Sequence, residues 1–357
     1  MEMEALLLNA VAKGASDLHL TEGLPPVLRL QGRLVPSVGP VLSGSDTEML
    51  LAAITTDEQR SAFYQQGELD FAYTIQGMSR FRVHSFRQRG FTALAVRMIQ
   101  DTIPTLEQLA YTDALQVLAR KKRGLVLVSG PAGSGKSTTL AAMIELINRE
   151  RSCHIITIED PIEYWHRHNH SMVNQREINR DTRSFGNALR AALREDPDVI
   201  MLGEMRDAET ISTAITAAET GHLVLATLHT GDAVQTIDRI IDAFPAYQQQ
   251  QVRIQLALSL QGIIAQQLVP CCTGGKRVAA MEVLLATPAV RNLIREGKSQ
   301  QILSVIQTSV KAGMRSMDMA LLELYRGGLI TYAEALSRAV DQASFTAFVS
   351  NRDERWV

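Results

Sequence analysis

Gly130-Pro131-Ala132-Gly133-Ser134-Gly135-Lys136-Ser137 fits G-x-x-x-x-G-K-[ST] and lies between a short apolar run, Leu125–Val128, and a helical pattern, Ser137–Glu150. No other feature restricts the fold so tightly. The motif works at a strand-to-helix turn, where glycines let backbone N–H groups turn inward around an anion and the helix N-terminus adds partial positive charge. Lys136 is expected to reach the β- and γ-phosphates, and the Ser137 hydroxyl to hold Mg²⁺. Gly130 through Ser137, with Thr138 after them, form the predicted nucleotide cradle. No N-K-x-D segment follows, so ATP is the expected nucleotide.

Three more runs, Ile155–Ile158, Val199–Leu202 and Leu223–Ala226, are short, continuous and aliphatic, with helical stretches between them. That pattern predicts a parallel sheet covered on both faces, which binds ligands beyond the carboxyl ends of its strands. Polar residues stand at those ends: Glu159-Asp160-Pro161-Ile162-Glu163, Gly203-Glu204 and Thr227-Leu228-His229-Thr230. Phosphoryl transfer to water needs a metal near the phosphates and an oriented water. Glu204 is the first candidate for either task and Glu163 the second; Glu159 and Asp160 fit as metal-shell groups or as caps. His229 is placed to sense the γ-phosphate. His222 stands at the other end of the same strand, about 23 Å away if the segment is extended, and reads as structural or as a subunit contact. His166, His168 and His170 alternate in a polar stretch that reads as a solvated loop.

The chain has 357 residues, enough for about two domains. Residues 1–100 mix a helix at 1–13, a helical stretch at 46–65 and alternating runs at Leu69–Ile75, Arg80–Phe86 and Thr92–Ile99, which predicts a small α+β domain. Ile103-Pro104 falls in a linker expected at 101–122, which carries a helix near 106–121; the second domain spans 123–357. The tail reads as helices at 246–268, 288–296, 299–307, 317–326 and 331–340. A formal charge of −2 argues against a general nucleic-acid coat. Three cysteines without C-x-x-C spacing support neither a zinc site nor a disulfide framework, and point to a reducing, cytoplasmic setting. The start, Met1-Glu2-Met3-Glu4, lacks the basic region of a signal peptide. The charge-free stretch 254–275 contains four glutamines and reads as an amphipathic core helix, so any membrane association is expected through a partner.

Taken in order, Gly130–Ser137, Ile156–Glu163, Leu193-Arg194-Glu195-Asp196-Pro197-Asp198, Gly203-Glu204-Met205-Arg206-Asp207 and Gly221–Thr230 resemble the secretion ATPase superfamily, hexameric motors of type II secretion and type IV pili. Ser16-Asp17-Leu18-His19-Leu20 and Pro25–Gly32 match as well. The resemblance implies a RecA-like P-loop core, an α+β N-terminal domain of PAS type and a helical C-terminal region. A short N-terminal region, the missing tetracysteine module and the segment Pro288–Lys298 are most similar to the pilus retraction branch. That branch implies a homo-hexamer at the cytoplasmic face of the inner membrane. Its partners would be a membrane platform protein and a second retraction ATPase, and it would bind no nucleic acid. The family supplies arginines in trans, and by position these are Arg82 and Arg97; the alternative is that Arg80, Arg82, Arg87, Arg89 and Arg97 form a solvated face of strands. An assembly or secretion ATPase of the same fold, a nucleic-acid motor and a nucleotide-binding ring without turnover remain alternatives.

Overall fold

The computed structural model describes all residues except 1, 31, 76–78, 100–101, 110–112, 274–276 and 354–357. The chain divides into two compact units, Met1–Thr102 and Ile103–Val357.

In the first unit, α1 (Met3–Ala12) is followed by β1 (Asp17–Leu20), β2 (Val27–Leu30) and β3 (Arg33–Pro36). Helices α2 (Gly44–Ala52) and α3 (Asp57–Gln66) come next, then β4 (Glu68–Ile75), β5 (Ser79–Gln88) and β6 (Phe91–Ile99). The strands pair as one antiparallel sheet in the order β3-β2-β1-β6-β5-β4. Alternation aims Leu18, Leu20, Phe81, Val83, Leu94 and Val96 at one face, where Leu7, Leu50 and Phe63 of the helices meet them. The helical stretch expected at 46–65 is two helices. Ser43 with Asp46 and Thr56 with Gln59 each form a capping box, so the second hydroxyl starts a new helix instead of continuing the first. The β5–β6 hairpin turns on Arg89 and Gly90, both at positive φ as a two-residue primed turn requires.

The second unit begins with α4 (Asp113–Ala119), β7 (Gly124–Ser129), α5 (Lys136–Glu150), β8 (His154–Glu159) and β9 (Met172–Glu177). It continues through α6 (Phe185–Ala192), β10 (Val199–Leu202), α7 (Ala208–Glu219), β11 (Leu223–Leu228), α8 (Ala233–Asp242) and α9 (Ala246–Ser259). It ends with β12 (Leu260–Pro270), β13 (Arg277–Leu285), α10 (Pro288–Arg295), α11 (Ile302–Thr308), α12 (Met317–Arg326), α13 (Tyr332–Arg338) and α14 (Gln342–Asp353). The sheet order is β13-β12-β7-β11-β10-β8-β9, parallel throughout except for β13. Alternate residues of each central strand enter two separate cores. Leu125, Ile156, Ile200 and Val224 pack toward α6–α9, whereas Val126, Ile155, Val199 and Leu225 pack toward α4 and α5. Burying each such side chain stabilises by about 1.5–3 kcal/mol, which is why these strands are aliphatic on both faces. Among the described residues, no helix is long and apolar enough to cross a membrane.

The largest departure from the sequence reading is at 246–268. The helix stops at Ser259, and Leu260–Pro270 is strand β12, inserted between β7 and β13; the stretch 254–275 is therefore not one amphipathic helix. The free edge of β7 requires backbone partners, and Ile263, Ile264 and the small Gly262 suit a strand better than a helix turn. At Gly262 an added Cβ would lie 2.8 Å from the Leu284 carbonyl, so the strand packs there only without a side chain. Helices α12–α14 cover the far ends of β12 and β13 around Val269, Ala280 and Phe345. The linker helix is shorter than expected, Asp113–Ala119.

Within Pro288–Lys298, Val290 and Ile294 are fully buried. Arg291 points inward. Its guanidinium donates to the carbonyls of Ala257 and Leu258, which end α9, and to Ala286 O at 3.0 Å. Those helix-end carbonyls have no partner of their own in the helix. Replacing Arg291 by Met keeps the stem and removes every donor. The expected loss is about 1–3 kcal/mol, a melting temperature lower by about 2–4 °C per kcal/mol in a circular-dichroism melt. An unchanged melt would show that the clamp carries no stability.

Candidate functional site

Strand β7 delivers the chain to Gly130, and α5 starts six residues later at Lys136. Gly130, Gly133 and Gly135 all have positive φ (147°, 74° and 88°), so this turn is built from the residue type that tolerates them. Ser43, Thr56, Ser184, Asp207, Asp232, Thr287, Ser316 and Thr331 cap their helices with side chains. Gly135 has no side chain to do so, and the first N–H groups of α5 stay available to an anion.

Lys136 lies along the loop and is almost fully buried. Its Nζ donates to Gly130 O at 2.8 Å and to Pro131 O at 3.0 Å. Burial pulls its pKa below the usual lysine value, against the opposing pull of Glu204 and Glu163. One cleft is lined by Lys136, Ser137, Glu159, Glu163, Glu204 and His229. The strand-end acids, the histidine and the cradle read from the sequence therefore come together. Ser137, Glu204 and Glu159 supply the oxygen atoms there that suit a hard cation.

His229 sits 3.5 Å by Nδ1 from Lys136 Nζ and 3.4 Å by Nε2 from Glu204 Oε1. An ammonium has only hydrogens to give, so Nδ1 accepts and Nε2 carries the proton toward Glu204. Thr227 Oγ1 donates to Gly203 O, and Met205 N–H donates to Thr227 O, which fixes the turn bearing Glu204 to the strand bearing His229. Arg206, two residues beyond Glu204, holds its carboxylate at 2.8 Å. Burial pushes the Glu204 pKa up, but the bond and charge of Arg206, with His229 and Lys136, bring it below the ordinary value. In the sequence nothing singles out Arg206 from its neighbours; only the turn after β10 reveals that it meets Glu204.

Glu159 is nearly fully buried and accepts hydrogen bonds from Thr157 Oγ1 at 2.6 Å and Gln175 Nε2 at 3.1 Å. Burial raises its pKa against those two bonds. His166 is not in a solvated loop. It is buried with Nδ1 3.4 Å from Glu145, and its N–H donates to Gln175 Oε1. His168 accepts from Val173 N–H at the start of β9. The polar stretch hides this because β9, an edge strand with few aliphatic residues, gives it an interior to face. His222, at the amino end of β11, donates from Nδ1 to Ala217 O at 2.9 Å.

Arg82 and Arg97 belong to the first unit, where they stand directly opposite each other on β5 and β6. Arg97 pairs with Asp17 at 3.0 Å and Arg82 with Asp70 at 3.8 Å. Arg80, on the same face by alternation, is buried and does not share the exposed surface of Arg82.

Two residues that sequence reasoning missed complete the cradle. Tyr164 OH lies 2.8 Å from Thr138 Oγ1. Gln266, fully buried on β12, donates to Ser134 O and accepts from Thr139 Oγ1, both at 2.7 Å. An alanine Cβ at Gly130 would lie 2.3 Å from Gln266 O in a backbone conformation that L-residues rarely adopt. Gly130→Ala is expected to weaken ATP and ADP binding at least tenfold in isothermal titration calorimetry; parental affinity would mean that the loop tolerates another shape.

The sequence profile described as "Type II/IV secretion system protein" matches residues 2–308. The chain is 48% identical over 339 residues to the type IV pilus retraction ATPase PilT of Pseudomonas aeruginosa, covering 95% of this chain and 98% of that one. It is 46% identical to the type IV pilus ATPase PilU of the same organism, over 95% and 89% of the two chains. The crystal structure of the pilus retraction motor PilT with bound ADP superposes with a TM-score of 0.91 at 48% identity, covering 96% of this chain and 98% of that one. The ATPase DotB of Legionella pneumophila gives 0.79 at 28% identity, over 98% and 95%. With its phosphate loop, strand-end acids and two-unit architecture, this chain belongs to the type II/IV secretion system protein family.

Proposed function

We propose that this chain hydrolyses Mg-ATP as one subunit of a hexameric ring, and that hydrolysis powers the retraction of type IV pili. The observation that carries the reading is the unbroken contact from Lys136 through His229 to Glu204 at the mouth of the glycine loop. Such a row connects a group that binds phosphate to one that can orient water, as phosphoryl transfer to water demands. The likeness to PilT supports retraction, and the likeness to PilU supports a second retraction ATPase as partner.

In this mechanism the loop N–H groups and Lys136 would hold the phosphates, and the Ser137 hydroxyl and Glu204 would hold Mg²⁺. Mg²⁺ is bound through one or two protein oxygens, with phosphate and water supplying the rest. These residues fit that demand, since the Ser137 hydroxyl and the Glu204 carboxylate are hard oxygen donors that line one cleft with Lys136. Bound there, the ion neutralises charge developing on the phosphates. Glu163 and Glu204 orient the attacking water and accept its proton, and His229 meets the γ-phosphate. Arg82 and Arg97 reach the site of a neighbouring subunit and stabilise the charge of the transferring group. The ring works at the cytoplasmic face of the inner membrane on a platform protein, touches the membrane only through partners and binds no nucleic acid.

The test is specific Mg-ATP hydrolysis as a function of protein concentration. A rate per subunit that rises and saturates is expected, with Lys136→Ala inactive and Arg82→Ala and Arg97→Ala impaired. Near-parental turnover by Lys136→Ala would sink the assignment of the loop. A strain lacking the chain should carry excess unretracted pili; bald cells would move the reading to assembly.

The pH dependence follows from Arg206. Removing a cation 2.8 Å from Glu204 disfavours the ionised carboxylate, so the Glu204 pKa rises. If the carboxylate must be ionised, activity falls at a higher pH than in the parent. Arg206→Gln should move the acidic limb of the kcat profile to higher pH. A limb that stays put would mean that another group sets it.

A further inference from the structure

We infer that Gln266 on β12 is a positioning residue for the phosphate loop: its side-chain amide fixes the direction in which the Ser134–Gly135 peptide presents its N–H. The inference rests on reading the loop as the phosphate cradle. Gln266 is fully buried, and its amide has one orientation that satisfies its neighbours. The Ser134 carbonyl can only accept, so the NH₂ group faces it at 2.7 Å. The oxygen then faces the Thr139 hydroxyl, which donates to it at 2.7 Å.

A trans peptide points its C=O and N–H to opposite sides, and among the described residues the only cis bond is Asp160–Pro161. Tethering the Ser134 carbonyl toward β12 therefore turns the Gly135 N–H away from β12, toward the concave side of the loop. Glycine at 135 has no Cβ to hold this peptide by packing, and its φ of 88° is one that L side chains rarely adopt. The amide supplies the restraint that the glycines lack. The fit is mutual, because a Cβ at Gly135 would lie 2.8 Å from Gln266 Nε2 and one at Gly130 would lie 2.3 Å from Gln266 O. The two glycines thus also make room for the strand that braces the loop.

Thr139 provides the control. Thr139→Val removes the hydroxyl that bonds both Gln266 and the Gly135 carbonyl, and leaves the bond from Gln266 to Ser134, so it weakens the loop's other side-chain tie while keeping the brace. Gln266→Met keeps the volume and removes the bonds to Ser134 and to Thr139. ADP binding to the full chain is measured by calorimetry, beside thermal melts without nucleotide. Gln266→Met is expected to bind ADP at least tenfold more weakly, and Thr139→Val within threefold of the parent, although both melt lower. Parental affinity in Gln266→Met, or an equal loss in Thr139→Val, would overturn the inference and leave Gln266 as packing. Should Gln266→Met fail to fold, Gln266→Glu tests the same bond. At high pH it sets an acceptor against the Ser134 carbonyl; at low pH its protonated acid donates again. Its ADP affinity relative to the parent should recover as pH falls, and a flat ratio would refute the brace. Lys136→Ala separates the two levels. If it binds ADP like the parent, the cradle itself is misassigned; if it loses ADP while Gln266→Met keeps it, only the brace fails.

Discussion

The start of α5 is left uncapped, and the second unit is arranged around that fact. A helix begins with N–H groups that have no internal partner. Eight other helices meet this need with a serine, threonine or aspartate of their own. Here the residue before the helix is Gly135, and the need is met by nothing local. Leaving such donors unpaired costs about 1–3 kcal/mol each when buried, so this helix start is tolerable only in an open cleft or beside a ligand anion. A parallel sheet provides the cleft, since its carboxyl ends and the amino ends of its following helices share one edge.

The charges follow from the same placement. A buried lysine is poorly solvated, and its pKa is depressed for that reason. Glu204, His229 and Arg206 then form a row in which each charge has an opposite or a neutral neighbour. That arrangement lowers the penalty of partial burial. Arg206 is mostly exposed whereas Glu204 is mostly buried. The cation therefore stands at the rim of the cleft and the acid inside it.

What was legible in the sequence divides along this line. The loop, the strands that lead to it and the acids that follow them are local patterns, and Lys136, Ser137, Glu163, Glu204 and His229, read from them, line one cleft. Strand β12 was not legible. Its run of small and aliphatic residues with glutamines has no charge to mark a face, and it follows α9 without a turn residue, so periodicity extends the helix. Gln266 was lost with it, because its role depends on which strand lies beside β7. The burial of His166 was hidden likewise, since an edge strand of six mostly polar residues leaves little apolar signal. Residues whose role is set by a distant partner are silent in a single sequence; those whose role is set by the next turn are not.

The arginines of the first unit show both halves of that rule. Strand alternation places Arg82 on a face, but only the register of β5 on β6 sets it directly opposite Arg97. Two like charges across a strand pair repel. Asp17, which stands opposite Arg97 on β1, and Asp70 on β4 flank the pair and offset that repulsion. Asp17 is largely buried and fixed, whereas both guanidinium groups are well exposed. An anion that engages both arginines therefore competes with carboxylates already in place. Its gain is the difference between two sets of charge-assisted bonds, not the full strength of either. A phosphate, with more acceptor oxygens and more charge than a carboxylate, is better equipped to win that exchange for both guanidinium groups at once.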